Sequence, residues 1–161
     1  MHISSVAVAF LRNQNKYLLM KRAKTKKHYP DVWDGVGGGV ESCELSEPTN
    51  AILREIFEET GFESMHISNL TLRYLHINKH DSNLVNHYIF FADTDKTDFW
   101  QTDEGVLSWI IKDDFFNREF SSTMKALLEH YFTVGINTKD LYLFSTYEGK
   151  NSILPFDAEN C

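Results

Sequence analysis

The stretch from 37 to 62, GGGVESCELSEPTNAILREIFEETGF, constrains this chain more than any other, because a triple glycine precedes a segment whose polar face is almost purely acidic. At 100° per helical residue, Glu55, Glu58 and Glu59 fall within an arc of about 100°, and Ile52, Leu53, Ile56 and Phe57 occupy the opposite side. Like charges spaced i, i+3 and i, i+4 cost a helix about 0.2–0.5 kcal/mol per pair, so three such glutamates need compensation. Hard divalent cations take carboxylate oxygens and would supply it. Ala51 projects near the centre of the same arc, where a bulky side chain would obstruct whatever the carboxylates hold. The plain alternative is a solvated, Glu-rich helix face, which is what most charge runs are.

The flanking residues favour a site. Gly37, Gly38 and Gly39 lie between an apolar entry (Val32, Trp33, Val36) and Val40, so the backbone can approach a ligand where any Cβ would obstruct it. Ser46 or Glu47 is placed to cap the helix and Pro48 suits its first turn. Gly61 follows Thr60 where a left-handed residue belongs, which predicts a helix from Pro48 to Thr60.

With these residues the chain resembles the Nudix hydrolases, whose box reads G-x5-E-x7-R-E-U-x-E-E-x-G-U, U being bulky and apolar. The second half is complete here as Arg54-Glu55-Ile56-Phe57-Glu58-Glu59-Thr60-Gly61-Phe62. In the first half Gly38-x5-Glu44 fits, but nine residues rather than seven separate Glu44 from Arg54. The two extra residues fall within Ser42 to Leu45, so Glu44 is left out of the expected site and the box spans about 38–62.

Composition suits one enzyme domain over residues 1–161. The chain is 42% hydrophobic and 14% aromatic, enough to bury a sizeable core without disulfides. Its net charge of −7 argues against broad electrostatic binding to nucleic acid polymers or anionic membranes. A polyanionic substrate therefore needs local cations. The one concentration of them is Lys21, Arg22, Lys24, Lys26 and Lys27, whose lysines read as a solvated loop. Cys43 and Cys161 match no metal spacing and suggest no disulfide framework, so a reduced cytoplasm is the expected compartment. No export signal is evident, and nowhere do eighteen apolar residues run together.

Strand and helix patterns alternate without repeats or a linker. Ile3 to Leu11 and Tyr17 to Met20 read as strands joined by a polar turn at 12–15; Leu70 to Ile77 and Val85 to Ala92 pair around 80–83; Val106 to Ile111 is a further strand. Ser121 to Val134 reads as a second amphipathic helix, with Met124, Leu127, Leu128 and Tyr131 at helical spacing. Leu141 to Thr146 and Ser152 to Leu154 read as a closing hairpin around Glu148-Gly149-Lys150. Two amphipathic helices need a sheet to cover, so the class is α/β, and the Nudix resemblance implies an α/β/α sandwich with a mixed β-sheet.

The chemistry expected of such a site follows from charge. A diphosphate bridge resists hydrolysis because its oxygens repel a nucleophile, so a catalyst must neutralise charge and activate water. Mg²⁺ or Mn²⁺ does both, and Glu55, Glu58 and Glu59 are the candidate ligands. The resemblance implies three further roles: the Gly37 carbonyl reaches the metal, Arg54 orients the carboxylates, and a glutamate a few residues before a tryptophan activates water. Glu104, in Asp103-Glu104-Gly105-Val106-Leu107-Ser108-Trp109, matches the last, with a solvated turn residue as the alternative and Glu58 as the alternative proton relay. Arg22, ending Leu18-Leu19-Met20-Lys21-Arg22, matches a position where related enzymes bind substrate phosphates, and a planar guanidinium fork suits that task.

The resemblance is nearest to the nucleotide-pool-sanitising branch that hydrolyses 8-oxo-dGTP, through Trp33-Asp34-Gly35-Val36-Gly37-Gly38 and the C-terminal hairpin. It implies a small-molecule nucleotide as partner, with the protein a monomer or homodimer. The purine-reading residues carry over less cleanly: Glu119, in Asn117-Arg118-Glu119-Phe120, either accepts from a purine edge or is solvated ahead of the helix. Phe115, Phe116 and Phe120 either stack on a base or pack the core, the commoner fate. Other nucleoside diphosphate derivatives, or a nucleotide-sensing domain without catalysis, are the alternative functions. Degenerate sensors usually lose box glutamates, and all three are present here.

Overall fold

A computed structural model describes residues 2–27, 29–80, 82–147 and 150–156. Its spine is β1 (His2–Asn13), which runs parallel to β6 (Asn83–Thr94), antiparallel at its end to β2 (Lys16–Arg22) and antiparallel at its middle to β4 (Val36–Gly39). From there β3 (Trp33–Asp34) and β7 (Gly105–Ile111) join β2, and β5 (Ile67–His80), β8 (Tyr142–Tyr147) and β9 (Lys150–Pro155) follow β6 in that order. β8 runs parallel to β5, so the sheet is mixed.

The strands alternate which layer they feed. From Ala7 to Leu11 every side chain of β1 is buried, but Ala7, Ala9 and Leu11 pack with Leu18, Met20 and Phe90 against one helix, whereas Val8 and Phe10 pack with Leu19 and Phe91 against the other. A strand whose two faces are both covered reads as a continuous apolar run, and VAVAFL is such a run. The first helix, α1 (Pro48–Thr60), buries Ala51, Ile52 and Ile56 on the first face. The second, α2 (Ser122–Thr133), buries Leu127, Leu128 and Tyr131 on the other. The architecture is an α/β/α sandwich around a mixed sheet. No helix among the described residues is long and apolar enough to cross a membrane.

Most expected elements lie within a few residues of their sequence positions, and α1 begins and ends where Pro48 and Gly61 place it. Gly61 has φ +79° and its N–H donates to the Phe57 carbonyl at 2.8 Å. Three differences are informative. The glycines at 37–39 form not a turn but the strand β4, paired with Val8, Ala7 and Val6 of β1, whose backbone comes so close that a Cβ on Gly37 would collide with the Ala7 carbonyl. The first hairpin turns within 14–15 rather than 12–15, Gln14 taking φ +55°. Phe57 does not join the core: it is 46% exposed and stands edge-on to Trp100, with ring centroids 5.5 Å apart. The tips of the other two expected turns include Asp81, Glu148 and Gly149, which lie outside the described residues along with Cys161. Cys43 is an exposed free thiol.

Across the adjacent strands β6, β5 and β8, His76 stacks on His87 with ring centroids 5.2 Å apart and meets Phe144 at 5.1 Å. Burial holds His76 down to about 4 and also lowers His87. An unfolded chain would take up protons at its ordinary histidine pKa, so between pH 6.5 and 4 the unfolded state binds more protons than the folded one, and stability falls on acidification through that window. His76→Phe should remove roughly 2–3 kcal/mol of that pH-dependent loss. Urea midpoints for wild type and variant at pH 7 and pH 4.5 test this, and parallel losses would contradict it.

Candidate active site

The site is built where β4 passes beneath α1. Gly37, Gly38, Gly39, Glu55, Glu58, Glu59, Thr102 and Glu104 line one open cleft of about 390 Å³. The chain folds this way because the three glycines of β4 have no side chains to hold the helix off: a Cβ on Gly38 would stand 2.5 Å from Glu55 Oε2. The Gly37 N–H donates to Glu59 Oε2 at 2.9 Å. Val8 and Gly37 are therefore a non-hydrogen-bonded pair of the antiparallel ladder, and the Gly37 carbonyl also turns away from β1. Gly39 shares that parity, and its carbonyl accepts from Arg54 Nη2 at 2.9 Å.

Arg54 is the organising cation. Its Nε and Nη2 each donate to a separate oxygen of Glu44 at 2.9 Å, and its Nη1 donates to Glu55 at 2.7 Å and to Glu58 at 3.3 Å. Glu44, together with Glu55 and Glu58, raises the Arg54 pKa or shares its donors, and the guanidinium in return holds Glu44 down to about 2. Glu44 was absent from the expected site because of the expanded loop. The 3-10 turn Ser42–Glu44 absorbs the extra residues and returns the carboxylate to the arginine, with a Glu44 oxygen also accepting from the Glu41 N–H at 3.0 Å.

The three box glutamates differ in environment. Glu58 is the outermost, its side chain 55% exposed. Glu55 is half-buried, and burial raises its pKa against the pull of Arg54. Glu59 is only 4% exposed, and burial pushes it up to about 8, opposed by the Gly37 N–H and reinforced by the charges of Glu55 and Glu104. Among the described residues no three acidic, histidine or cysteine groups close into a ready-made metal cage. The donor set is nevertheless all oxygen, faces one cleft, and lies against a glycine strand that leaves room. Mg²⁺ keeps several waters and needs only one or two direct carboxylates, so an open arrangement of this kind suits it.

Glu104 reaches the same cleft from the turn before β7, where its N–H donates to Thr102 Oγ1 at 3.3 Å. It forms an ion pair with Lys26, so that lysine is not merely a solvated loop residue, whereas Lys24 and Lys27 are exposed as expected. Arg22 lies opposite Gly105 on β7, one residue from Glu104, and on the face shared by Leu18 and Met20, but it does not line the cleft. Its charge acts on Asp34, whose carboxyl burial pushes up to about 6. Glu119 lies apart from the carboxylates: it is exposed, and its carbonyl accepts from the Trp33 N–H at 2.8 Å. Phe115 and Phe120 pack the core beneath it and Phe116 is 40% exposed.

Besides Thr102, which lines the cleft, one residue escaped sequence reasoning. Trp100 packs its ring under Gly61, donates Nε1–H to the Glu58 carbonyl at 3.1 Å and its own N–H to the Thr60 carbonyl at 3.2 Å. It pins the last turn of α1 to the loop that carries Thr102 and Glu104. An aromatic just ahead of a loop glutamate was the available signal.

Comparison with known proteins agrees with this geometry. The model of the NUDIX domain matches residues 1–131. Among solved structures, the Mutator MutT protein from Bacillus halodurans superposes with a TM-score of 0.70 at 19% identity, covering 94% of this chain and 97% of that one. The MutT protein from Methanosarcina mazei Go1 does so with a TM-score of 0.68 at 19% identity, covering 81% and 94%. A UDP-X diphosphatase matches with a TM-score of 0.62 at 22% identity, covering 89% and 68%. With its acidic helix, its glycine strand and four-fifths of its length matched as one domain, the chain belongs to the NUDIX family, as a hydrolase acting on diphosphate linkages.

Proposed function

We propose that this hydrolase is a divalent-metal-dependent pyrophosphohydrolase that cleaves a nucleoside triphosphate, an oxidised purine nucleotide such as 8-oxo-dGTP among them, to monophosphate and pyrophosphate. The observation that carries the reading is the cleft in which Glu55, Glu58, Glu59 and Glu104 converge beside an uncluttered glycine strand. Four carboxylates facing one space suit a cationic ligand and repel a bare polyphosphate. Mg²⁺ or Mn²⁺ would be held by Glu55, Glu58, Glu59 and the Gly37 carbonyl, and when bound would supply charge neutralisation and a more acidic water.

The protein groups then divide the remaining work. Arg54 fixes Glu55 and Glu58 in place while its other edge is occupied by Glu44 and Gly39. Glu104 takes the proton of the attacking water as its oxygen bonds to phosphorus and the bridging P–O bond breaks, the electron pair leaving with the departing phosphate oxygen. Lys26 beside it keeps a positive charge at the cleft rim. Arg22 grips substrate phosphates from the end of β2, and Glu119 accepts from the base edge. The protein works on a free nucleotide in the cytoplasm, as a monomer or homodimer, over one domain spanning 1–161.

The likeness to MutT proteins and the Trp33-Asp34-Gly35 entry support a nucleoside triphosphate. The likeness to a UDP-X diphosphatase supports the second reading, a nucleoside diphosphate derivative such as a nucleotide sugar. Purified protein with Mg²⁺, given normal and oxidised nucleoside triphosphates, nucleotide sugars and dinucleoside polyphosphates, separates the two by products. Pyrophosphate from a triphosphate is expected, and a preference for nucleotide sugars would overturn the first reading.

Glu58→Gln, Glu59→Gln and Glu104→Gln should each lower turnover by about a hundredfold or more without unfolding the protein. Full activity in both box variants would sink the mechanism. Gly38→Ala should cost about a hundredfold as well, because its Cβ displaces the Glu55 carboxylate, with circular dichroism unchanged. Unaltered kcat in that variant would show that Glu55 need not stand where the structure places it.

A further inference from the structure

On the sheet face opposite the carboxylates there is a second cleft of about 410 Å³, lined by Phe10, Tyr17, Phe91 and Tyr131 at its base and by charged groups at its rim. Its size falls within the range of small-molecule pockets. Its charge is the reverse of the catalytic cleft. Arg12, Arg73 and Lys139 face a single acidic residue, Asp93, in a chain whose net charge is −7.

Asp93 is fully engaged, which leaves the other two cations unneutralised. One of its oxygens accepts from Arg12 Nε at 2.7 Å and the other from Asn69 Nδ2 at 2.7 Å. Asn69 reaches it only because β5 breaks register between Ser68 and Thr71, with Asn69 held at φ +53°. Arg73 is only 8% exposed, and its position is fixed: Nε donates to the Asp140 carbonyl at 3.1 Å, and Nη2 to the Gly135 carbonyl at 2.7 Å and Thr138 Oγ1 at 3.2 Å. Its Nη1 makes no hydrogen bond among the described residues, and Lys139 is exposed without an ion pair among them. A buried guanidinium with one edge clamped by carbonyls and no carboxylate partner is costly without an anion. Two guanidiniums and an ammonium converging on one cleft suit the tetrahedral oxygens of phosphate.

We propose that this cleft binds a small phosphate-bearing molecule, at a site separate from the catalytic one. The reading does not depend on which nucleotide the enzyme cleaves. Chelator-treated, ¹⁵N-labelled protein titrated with inorganic phosphate, and separately with adenosine 5′-monophosphate, provides the test, since without divalent cations the acidic cleft repels both probes. Saturable shifts are expected at the Arg12 and Arg73 side chains and the Lys139 and Tyr131 amides, and not at Gly37 to Gly39. Tighter binding of the nucleotide would assign the cleft a ring as well as a phosphate, and equal binding would assign it the phosphate alone. Lys139→Glu, an exposed change that spares the fold, should weaken binding about tenfold or more, and Arg12→Gln should act in the same direction. Glu58→Gln should leave it unaltered. Absence of saturable shifts with either probe, saturation centred elsewhere, or equal affinity in Lys139→Glu would overturn the proposal.

Discussion

The guanidinium of Arg54 is the interaction on which the site depends. Three glutamates within five residues of one helix repel one another, and two of them, Glu55 and Glu58, accept directly from Arg54. Each like-charge pair costs about 0.2–0.5 kcal/mol, whereas a hydrogen bond to a charged group is worth about 1.5–3 kcal/mol before solvent screening. The arginine is about a quarter exposed, so screening reduces its contribution, but it makes five hydrogen bonds and the balance still favours an ordered acidic face. Lysine could not substitute. A point charge cannot donate simultaneously to both oxygens of Glu44, to Glu55 and to a backbone carbonyl in fixed directions.

Through Gly39 the same arginine ties the helix to the sheet. α1 rests on β4, β4 pairs with β1, and β1 is buried on both faces from Ala7 to Leu11, so the carboxylates are mounted on a strand anchored in the core. Trp100 adds a second tie at the far end of the helix and brings the loop of Glu104 alongside. The two attachments come from segments remote in sequence, and together they define the cleft. Glu59 shows the consequence for chemistry: packed against the Gly37 backbone, it is the least solvated of the acids and retains a proton to about pH 8 when no cation is present.

Much of this was legible in sequence because it is local. Pro48, Gly61 and the 3.6-residue period bound α1, and the unbroken apolar run from Ala7 to Leu11 marks a strand covered on both sides. What was hidden depends on contacts between distant residues. The glycines read as a turn because nothing in their neighbourhood reveals that the backbone of Val6 to Val8 on β1 pairs with them. Spacing alone excludes Glu44, although the 3-10 turn restores its reach to Arg54. Phe57 read as core by its helical angle, and only the position of Trp100 explains why it is at the surface. Lys26 and Glu104 stand 78 residues apart, and their pairing has no sequence signature.

The two clefts thus carry opposite charge, acids on α1 at one face of the sheet and arginines beside α2 at the other. Paramagnetic broadening by Mn²⁺ in amide spectra of the intact protein reads out directly whether the glycine strand and the α1 carboxylates hold a divalent cation. Substoichiometric Mn²⁺ should first erase the signals of Gly37, Gly38, Gly39, Glu55, Glu58 and Glu59, with Arg12, Arg73 and Lys139 unaffected. Broadening spread evenly over surface acids, or centred away from the glycine strand, would contradict it.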